Sequence, residues 1–215
     1  MLTAVILTRD EERHIARAIP SLDGIADRIF IVDSESTDRT VEIAKEMGAE
    51  VRFNSWRNYS NQYNWALDQL PADTDLVLRL DADEIVTDEL RTQISEELPK
   101  LASGIHGVVV GRRMTFLGRP MRHGGVFPVR VLRLFRYDKG RCEDRWMDEH
   151  IKVAGPVVEL PGEICQRRSK NRPRGRAKVC HQRGHGKRRE RFAPRQLRFS
   201  DSWRLPGRFG PAGQT

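Results

Sequence analysis

Long hydrophobic runs are missing from these 215 residues. Apolar stretches such as Ile29-Phe30-Ile31-Val32 and Val108-Val109-Val110 end within a few positions. A bilayer-spanning helix needs about 20, so an integral helical membrane protein is excluded. The opening Met1-Leu2-Thr3-Ala4-Val5-Ile6-Leu7-Thr8 has no basic region and no small-residue cleavage site, and it reads as a strand rather than a signal. Cysteine is scarce: Cys142, Cys165 and Cys180 are an odd set without metal-ligand spacing. They argue against a disulfide framework and point to a reducing, cytoplasmic compartment. No Gly-x-x-x-x-Gly-Lys loop occurs, which counts against a nucleotidyl or other phosphate-transferring enzyme built on such a loop.

Acidic residues are almost absent from one end. Residues 166–215 hold 16 Lys+Arg against 2 Asp+Glu, a net of +14, whereas residues 1–165 hold 22 against 28, a net of −6. The overall +8 therefore joins two unlike segments. Among the last 50 residues only Val179, Phe192, Leu197, Phe199, Leu205 and Phe209 are Val, Ile, Leu or Phe, too few to offset the entropy of ordering a chain. The expected organisation is a folded domain over 1–165 and a disordered Arg-rich tail over 166–215. Three readings of the tail stay open: a solvated charged segment, a phosphate-binding segment for nucleic acid or anionic lipid, and an out-of-frame translation of GC-rich DNA after Gly162. Zinc spacing, a recognition helix and regular aromatic interleaving are all lacking, so nucleic acid is not the expected partner.

What the first 165 residues do have is periodicity. Thr3–Leu7, Ile29–Val32, Glu50–Phe53 and Asp75–Leu80 are strand-like, and between them lie helical patterns. Ile15 and Ile19 mark one helix. Val41, Ala44 and Met47 mark a second, capped by Ser36 or Thr37 and stopped by Gly48. Tyr63, Ala66, Leu67 and Leu70 mark a third, closed by Pro71. Thr87-Asp88-Glu89-Leu90 begins a fourth, with Leu90, Ile94 and Leu98 on one face. Strands alternating with helices predict an α/β, Rossmann-like, mostly parallel sheet flanked by helices, with the site at the carboxyl ends of the strands.

Polar residues gather at those ends. Strand one runs into Thr8-Arg9-Asp10-Glu11, strand two into Asp33-Ser34-Glu35-Ser36-Thr37-Asp38, and strand four into Asp81-Ala82-Asp83-Glu84. Asp81 and Asp83, at i and i+2, point to the same side of an extended chain, and Ala82 leaves room for a ligand. Two neighbouring carboxylates repel unless a cation or protons intervene; hard oxygen donors favour Mg²⁺ or Mn²⁺. The plain alternative is a pair of solvated loop acids. Asp33 is placed to accept hydrogen bonds from a base or ribose, and Asp38 sits beside the free N–H groups of a helix start; helix capping is the alternative for Asp38.

These segments, with Asn64-Trp65-Ala66-Leu67, resemble the family 2 glycosyltransferases and, within them, the bacterial lipopolysaccharide-core and surface-polysaccharide branch. Phe116-Leu117-Gly118-Arg119, Arg122-His123-Gly124-Gly125, Leu132-Arg133-Leu134-Phe135-Arg136 and Trp146-Met147-Asp148-Glu149-His150-Ile151 are similar to that branch's acceptor-side half. The resemblance covers roughly residues 1 to 160. It implies a GT-A fold, a nucleoside-diphosphate sugar donor, inversion at the anomeric carbon, and a glycan or lipid-linked acceptor met at the cytoplasmic face of the inner membrane. On that basis Thr8 and Glu11 line the nucleotide pocket, Asp33 holds the base, Asp81 contacts the ribose side, and Asp83, with Asp81, binds Mn²⁺ or Mg²⁺. The general base is Glu149, with Asp148 as runner-up. Arg133 and Arg136 are read as either phosphate ligands or surface ion pairs. Three positions depart from the family: Asp10 where Asn is common, Glu35 where Gly is common, and Tyr63 where a basic residue often precedes Asn64. After Gly162 the basic segment replaces a His-containing loop and aromatic-rich helices, which the resemblance reads as a cost to activity.

Overall fold

A computed structural model describes residues 1–116, 119–120, 129–144 and 149–167. The strands are β1 (Leu2–Thr8), β2 (Arg28–Asp33), β3 (Glu50–Phe53), β4 (Leu76–Asp81), β5 (Glu84–Val86), β6 (Gly107–Phe116), β7 (Arg119–Pro120), β8 (Val129–Arg136), β9 (Gly140–Cys142), β10 (Ile151–Val153) and β11 (Val157–Arg167). The helices are α1 (Glu12–Ala18), α2 (Thr40–Glu46), α3 (Tyr59–Asp68) and α4 (Asp88–Glu97). In the main sheet the order is β3-β2-β1-β4-β8-β6-β11-β5, with β7 added to β6; β9 and β10 form a separate pair.

The sheet has two characters. β3, β2, β1 and β4 run parallel, as the strand–helix alternation predicts. From β8 onward it is mixed: β8 is antiparallel to both β4 and β6, β11 is parallel to β6, and β5 is antiparallel to β11. Periodicity does not place β6, β8 or β11, because their apolar residues are interrupted by Arg112, Arg113, Arg130, Arg133, Glu159 and Glu163.

Alternation along β1 shows how the parallel half is buried. Ala4 and Ile6 join Ile15, Leu22, Ala44, Leu90 and Ile94 on one face, under α1, α2 and α4. Val5 joins Phe30, Tyr63, Leu67 and Phe135 on the other, under α3. Cover on both faces is why β1 is apolar almost throughout. Each fully buried large side chain contributes about 1.5–3 kcal/mol, which fixes the strand ends that carry the polar residues.

Local signals set most helix boundaries. Asn58 caps α3 by accepting the Asn61 N–H at 2.7 Å, and Thr87 caps α4 through the Leu90 N–H. Gly48, at φ 82°, closes α2. The expected start of α2 is corrected: it begins at Thr40, not after Ser36 or Thr37, because Ser36 is engaged with Asp33 and Thr37 with Asp10. Met47 is exposed rather than inward. Among the described residues no helix is long and apolar enough to cross a membrane. Of the segment 166–215, only Gln166 and Arg167 lie within the described residues, where they complete β11.

Candidate active site

A cleft of about 1290 Å³ opens at the carboxyl ends of β1 and β4. Its walls include Thr8, Glu11, Asp38, Asp81, Ala82 and Asp83, so the fold brings six of the expected residues together. Trp56 and Tyr59, from the loop after β3 and the start of α3, also line it; neither was singled out by the sequence motifs. Trp56 remains about half exposed.

The loops after β1 and β2 lock onto each other. Thr8 donates its hydroxyl to Asp33 Oδ2 at 2.8 Å, and Ser36 donates its N–H to Oδ1 at 2.8 Å and its hydroxyl to Oδ2 at 2.5 Å. Asp33 is completely buried and absent from the cleft lining, so its carboxylate lies behind the cleft wall, engaged by three protein donors. Asp10 reciprocates from β1's loop: its carboxylate accepts the Thr37 N–H at 2.8 Å, and its N–H donates to Ser36 Oγ at 2.9 Å. Asp38 accepts the N–H and hydroxyl of Thr40 and the Glu12 N–H. Partial burial opposes its charge, but those donors hold the carboxyl below its ordinary pKa. Glu11 pairs with His14, and its N–H donates to Thr40 Oγ1 at 2.7 Å. Asp10 and Glu35 both have left-handed backbone, at φ 54° and 61°. These are two of the three departures from the resembled family, at positions where Asn and Gly suit that conformation.

At the end of β4 the repulsion between neighbouring acids is resolved by protein cations. Arg133, on β8, donates to Asp81 Oδ2 at 3.0 Å and to Glu84 Oε1 at 2.5 Å, with its side chain only 3% exposed. Tyr59 donates its hydroxyl to Asp81 Oδ1 at 3.2 Å, and Arg79 approaches the same oxygen at 3.7 Å. The Arg79 guanidinium also lies 4.5 Å from the Tyr59 ring centroid, a cation–π arrangement. Burial works against the Asp81 charge, yet Arg133 and Arg79 outweigh it and hold the carboxyl well below its ordinary pKa. Burial pushes the Glu84 carboxyl up, only partly countered by Arg133. Arg133 is thus neither a phosphate ligand nor a surface pair. Arg136 is bonded to the carbonyls of Ile105 and Ala102.

Asp83 has a different environment. Its described partner is Gln166, whose Nε2 donates to Oδ2 at 2.9 Å. The described residues contain no cluster of three or more His, Cys, Asp or Glu able to enclose a metal. A donor set of one or two carboxylates fits an ion carried largely by phosphate oxygens and water, the usual manner of Mg²⁺. Glu149 is half-buried and its carbonyl accepts from Arg79 Nη1 at 3.4 Å, which ties its segment to β4; it is not among the cleft-lining residues. Asp148, with His123 and its flanking glycines, lies outside the described residues.

Sequence reasoning missed Arg79 and Glu84. The signal was present: Arg79 interrupts the apolar Leu78–Leu80 run, and a charge in a buried strand must find a partner.

Residues 3–149 match the family described as glycosyl transferase family 2. An uncharacterized glycosyltransferase of Rickettsia typhi is 43% identical over 93 residues, 43% of this chain and 31% of that protein. The succinoglycan biosynthesis protein ExoA of Rhizobium meliloti is 36% identical over 115 residues, 49% of this chain and 34% of that one. The chain thus spans about a third of the length of these curated relatives. Glucosyl-3-phosphoglycerate synthase from Mycobacterium tuberculosis, solved with Mg²⁺ and uridine diphosphate, superposes with a TM-score of 0.51 over 80% of this chain and 72% of that chain at 17% identity, a likeness of fold.

Proposed function

The chain belongs to glycosyl transferase family 2, and from that premise we propose that its cleft transfers a sugar from a nucleoside-diphosphate sugar to a hydroxyl of a glycan or lipid-linked acceptor, with inversion, in cell-envelope polysaccharide synthesis. The observation that carries this reading is the unequal fate of the two β4-end acids: Asp81 is engaged by Arg133 and Tyr59, while Asp83 faces the cleft with one described amide donor. Asp83, with Asp81 behind it, would hold Mn²⁺ or Mg²⁺ together with the donor's diphosphate. Such an ion supplies Lewis-acid stabilisation of the negative charge that grows on the leaving diphosphate.

The remaining roles belong to the chain itself. Thr8, Glu11 and Asp38 form the nucleoside side of the cleft, and Ala82 leaves space between the two aspartates for the ribose and diphosphate. Asp33 acts through Thr8 and Ser36 by fixing the end of β1 against the loop after β2. Glu149 accepts the proton of the acceptor hydroxyl as that oxygen bonds to the anomeric carbon; the bond from that carbon to the diphosphate breaks, and the nucleoside diphosphate departs with its electron pair. The transition state resembles an oxocarbenium ion. Asp148 is the alternative base. The relative named for succinoglycan biosynthesis supports an envelope or exported polysaccharide as product, and a lipid-linked acceptor would be met peripherally at the cytoplasmic face of the inner membrane.

The test is Mn²⁺-dependent turnover of a panel of UDP- and GDP-sugars by the full chain. Activity on one donor that Asp83→Ala abolishes is expected, with Glu149→Gln retaining binding but losing at least 10²-fold in kcat, as expected for removal of a general base. Turnover indifferent to Asp83→Ala removes the metal assignment, and a fully active Glu149→Gln moves the base to Asp148.

A further inference from the structure

The composition changes character at Gln166, yet the fold does not stop there. β11 runs through Arg167, with Ile164 opposite Val86, Cys165 opposite Ile85 and Gln166 opposite Glu84 on β5, and with Gln166 opposite Met114 on β6. Ile164 and Cys165 are buried. Thr87 donates its hydroxyl to the Glu163 carbonyl at 2.8 Å, and the Gly162 N–H donates to Gln93 Oε1 at 2.8 Å. The strand is therefore held on both edges and from α4, and the Gln166 side chain starts from a fixed point. From there its amide reaches Asp83 Oδ2 at 2.9 Å.

We propose that Gln166 is a positioning residue for the cleft's metal corner: by donating to one carboxylate oxygen of Asp83, it orients the other toward the ion that accompanies the diphosphate. The inference rests on the metal reading of Asp83 given above. Three physical points support it. A carboxylate with one oxygen bonded to a neutral amide keeps its charge, whereas an arginine partner, as at Asp81, would compete with a divalent cation for it. A glutamine does not titrate, so the orientation persists across the pH range of the reaction. Partners that orient a ligating carboxylate typically change metal affinity by about 10–100-fold when removed. The first residue of the segment expected to be a detached tail thus belongs to the site.

The experiment measures Mn²⁺ affinity of the full chain in the presence of UDP or GDP, by electron paramagnetic resonance of free Mn²⁺, alongside the thermal midpoint. Gln166→Met removes the donor at similar length. Gln166→Asn keeps an amide but ends one methylene short of Asp83. Both are expected to weaken Mn²⁺ by roughly tenfold, to raise the Mn²⁺ concentration for half-maximal turnover by a similar factor, and to leave kcat at saturating Mn²⁺ nearly unchanged. Asp83→Ala serves as the reference and should lose the site. If Asp83→Ala loses Mn²⁺ while Gln166→Met and Gln166→Asn, folded by thermal midpoint, bind it like the parent, the positioning role is overturned and the metal reading stands. If Asp83→Ala binds Mn²⁺ unchanged, the metal reading fails and this inference with it.

Discussion

The two halves of the sheet solve the same burial problem with different chemistry. β3-β2-β1-β4 is parallel, its central strand β1 uncharged and covered by helices on both faces, and its strand ends supply Thr8, Asp33 and Asp81. In β8, β6 and β11 every strand carries two or more charges. Arg130 pairs with Glu159 at 2.9 Å and Arg113 approaches Glu163 at 3.4 Å, both pairs substantially exposed. Arg133 alone of these is buried, and it crosses from β8 to Asp81 at the end of β4 and Glu84 at the start of β5. The parallel half thus builds the cleft floor, and the mixed half sets the charge on it. Exposed pairs contribute at most about 1 kcal/mol, so the difference should be visible in mutagenesis.

The largest effect is expected at Arg133. Arg133→Met leaves Glu84 and Asp81 without their shared cation, and breaking a buried pair from one side costs about 3–5 kcal/mol. Arg130→Met, in the same strand, should cost under about 1 kcal/mol. Thermal or denaturant unfolding of both variants checks the contrast; equal losses would erase the distinction between buried and exposed arginines. Adding Glu84→Gln to Arg133→Met should recover part of the loss, since the burial that pushes the Glu84 carboxyl up no longer acts on a charge.

A smaller break targets the seam between β11 and α4. A Cβ at Gly162 would stand 2.7 Å from Leu90 Cα, while one at Gly104 would meet nothing within 4 Å. Gly162→Ala is expected to cost about 1–3 kcal/mol through overpacking, and Gly104→Ala close to nothing. A denaturation midpoint unchanged by Gly162→Ala would mean that this end of β11 does not pack as described.

How much was legible follows the same division. β1, β2 and β4 could be read because burial on both faces leaves runs that are apolar apart from Arg79 in β4, and the polar residues where those runs stop mark the cleft. α3 could be read because Tyr63, Ala66, Leu67 and Leu70 keep helical spacing up to Pro71. The mixed half was opaque because Arg133, Glu159 and Glu163 break the alternation that reveals a strand, and the buried one, Arg133, is matched by Asp81 and Glu84, which are distant in sequence. Asp33 shows a second limit: the residue type at a strand end suggests ligand contact, whereas its burial and its donors from Thr8 and Ser36 are legible only in the fold. Gln166 was hidden by composition, since a window of arginines averages away the one residue that reaches back to Asp83.

Within the parallel half, the loop lock should show in acid. A carboxyl held below its ordinary pKa in the folded chain, as at Asp38, stabilises folding at every pH above its unfolded value near 4 and loses that contribution as pH falls. Asp38→Asn is therefore expected to cost about 1 kcal/mol at neutral pH and to flatten the fall in thermal midpoint between about pH 5 and pH 3. The same acid slope in parent and variant would show that the Thr40 and Glu12 donors do not favour the ionised form.

The smallest expected effect is a gain. Glu35 sits at φ 61° in the loop that closes over Asp33, and its side chain is exposed, accepting a hydrogen bond from Ser55 at 3.0 Å. A left-handed backbone costs a residue with a Cβ about 1–2 kcal/mol, and glycine escapes that cost while losing more entropy from the unfolded chain. The exposed hydrogen bond offsets little. Glu35→Gly should accordingly stabilise the protein by roughly 0.5–1 kcal/mol, in the same range as other backbone-matched substitutions. Asp10→Asn, at φ 54°, should be close to neutral because an amide oxygen can still accept from Thr37. Loss of stability in Glu35→Gly would mean that the loop is held by the Glu35 side chain rather than by Asp33, and the lock between β1 and β2 would have to be redrawn around Ser55.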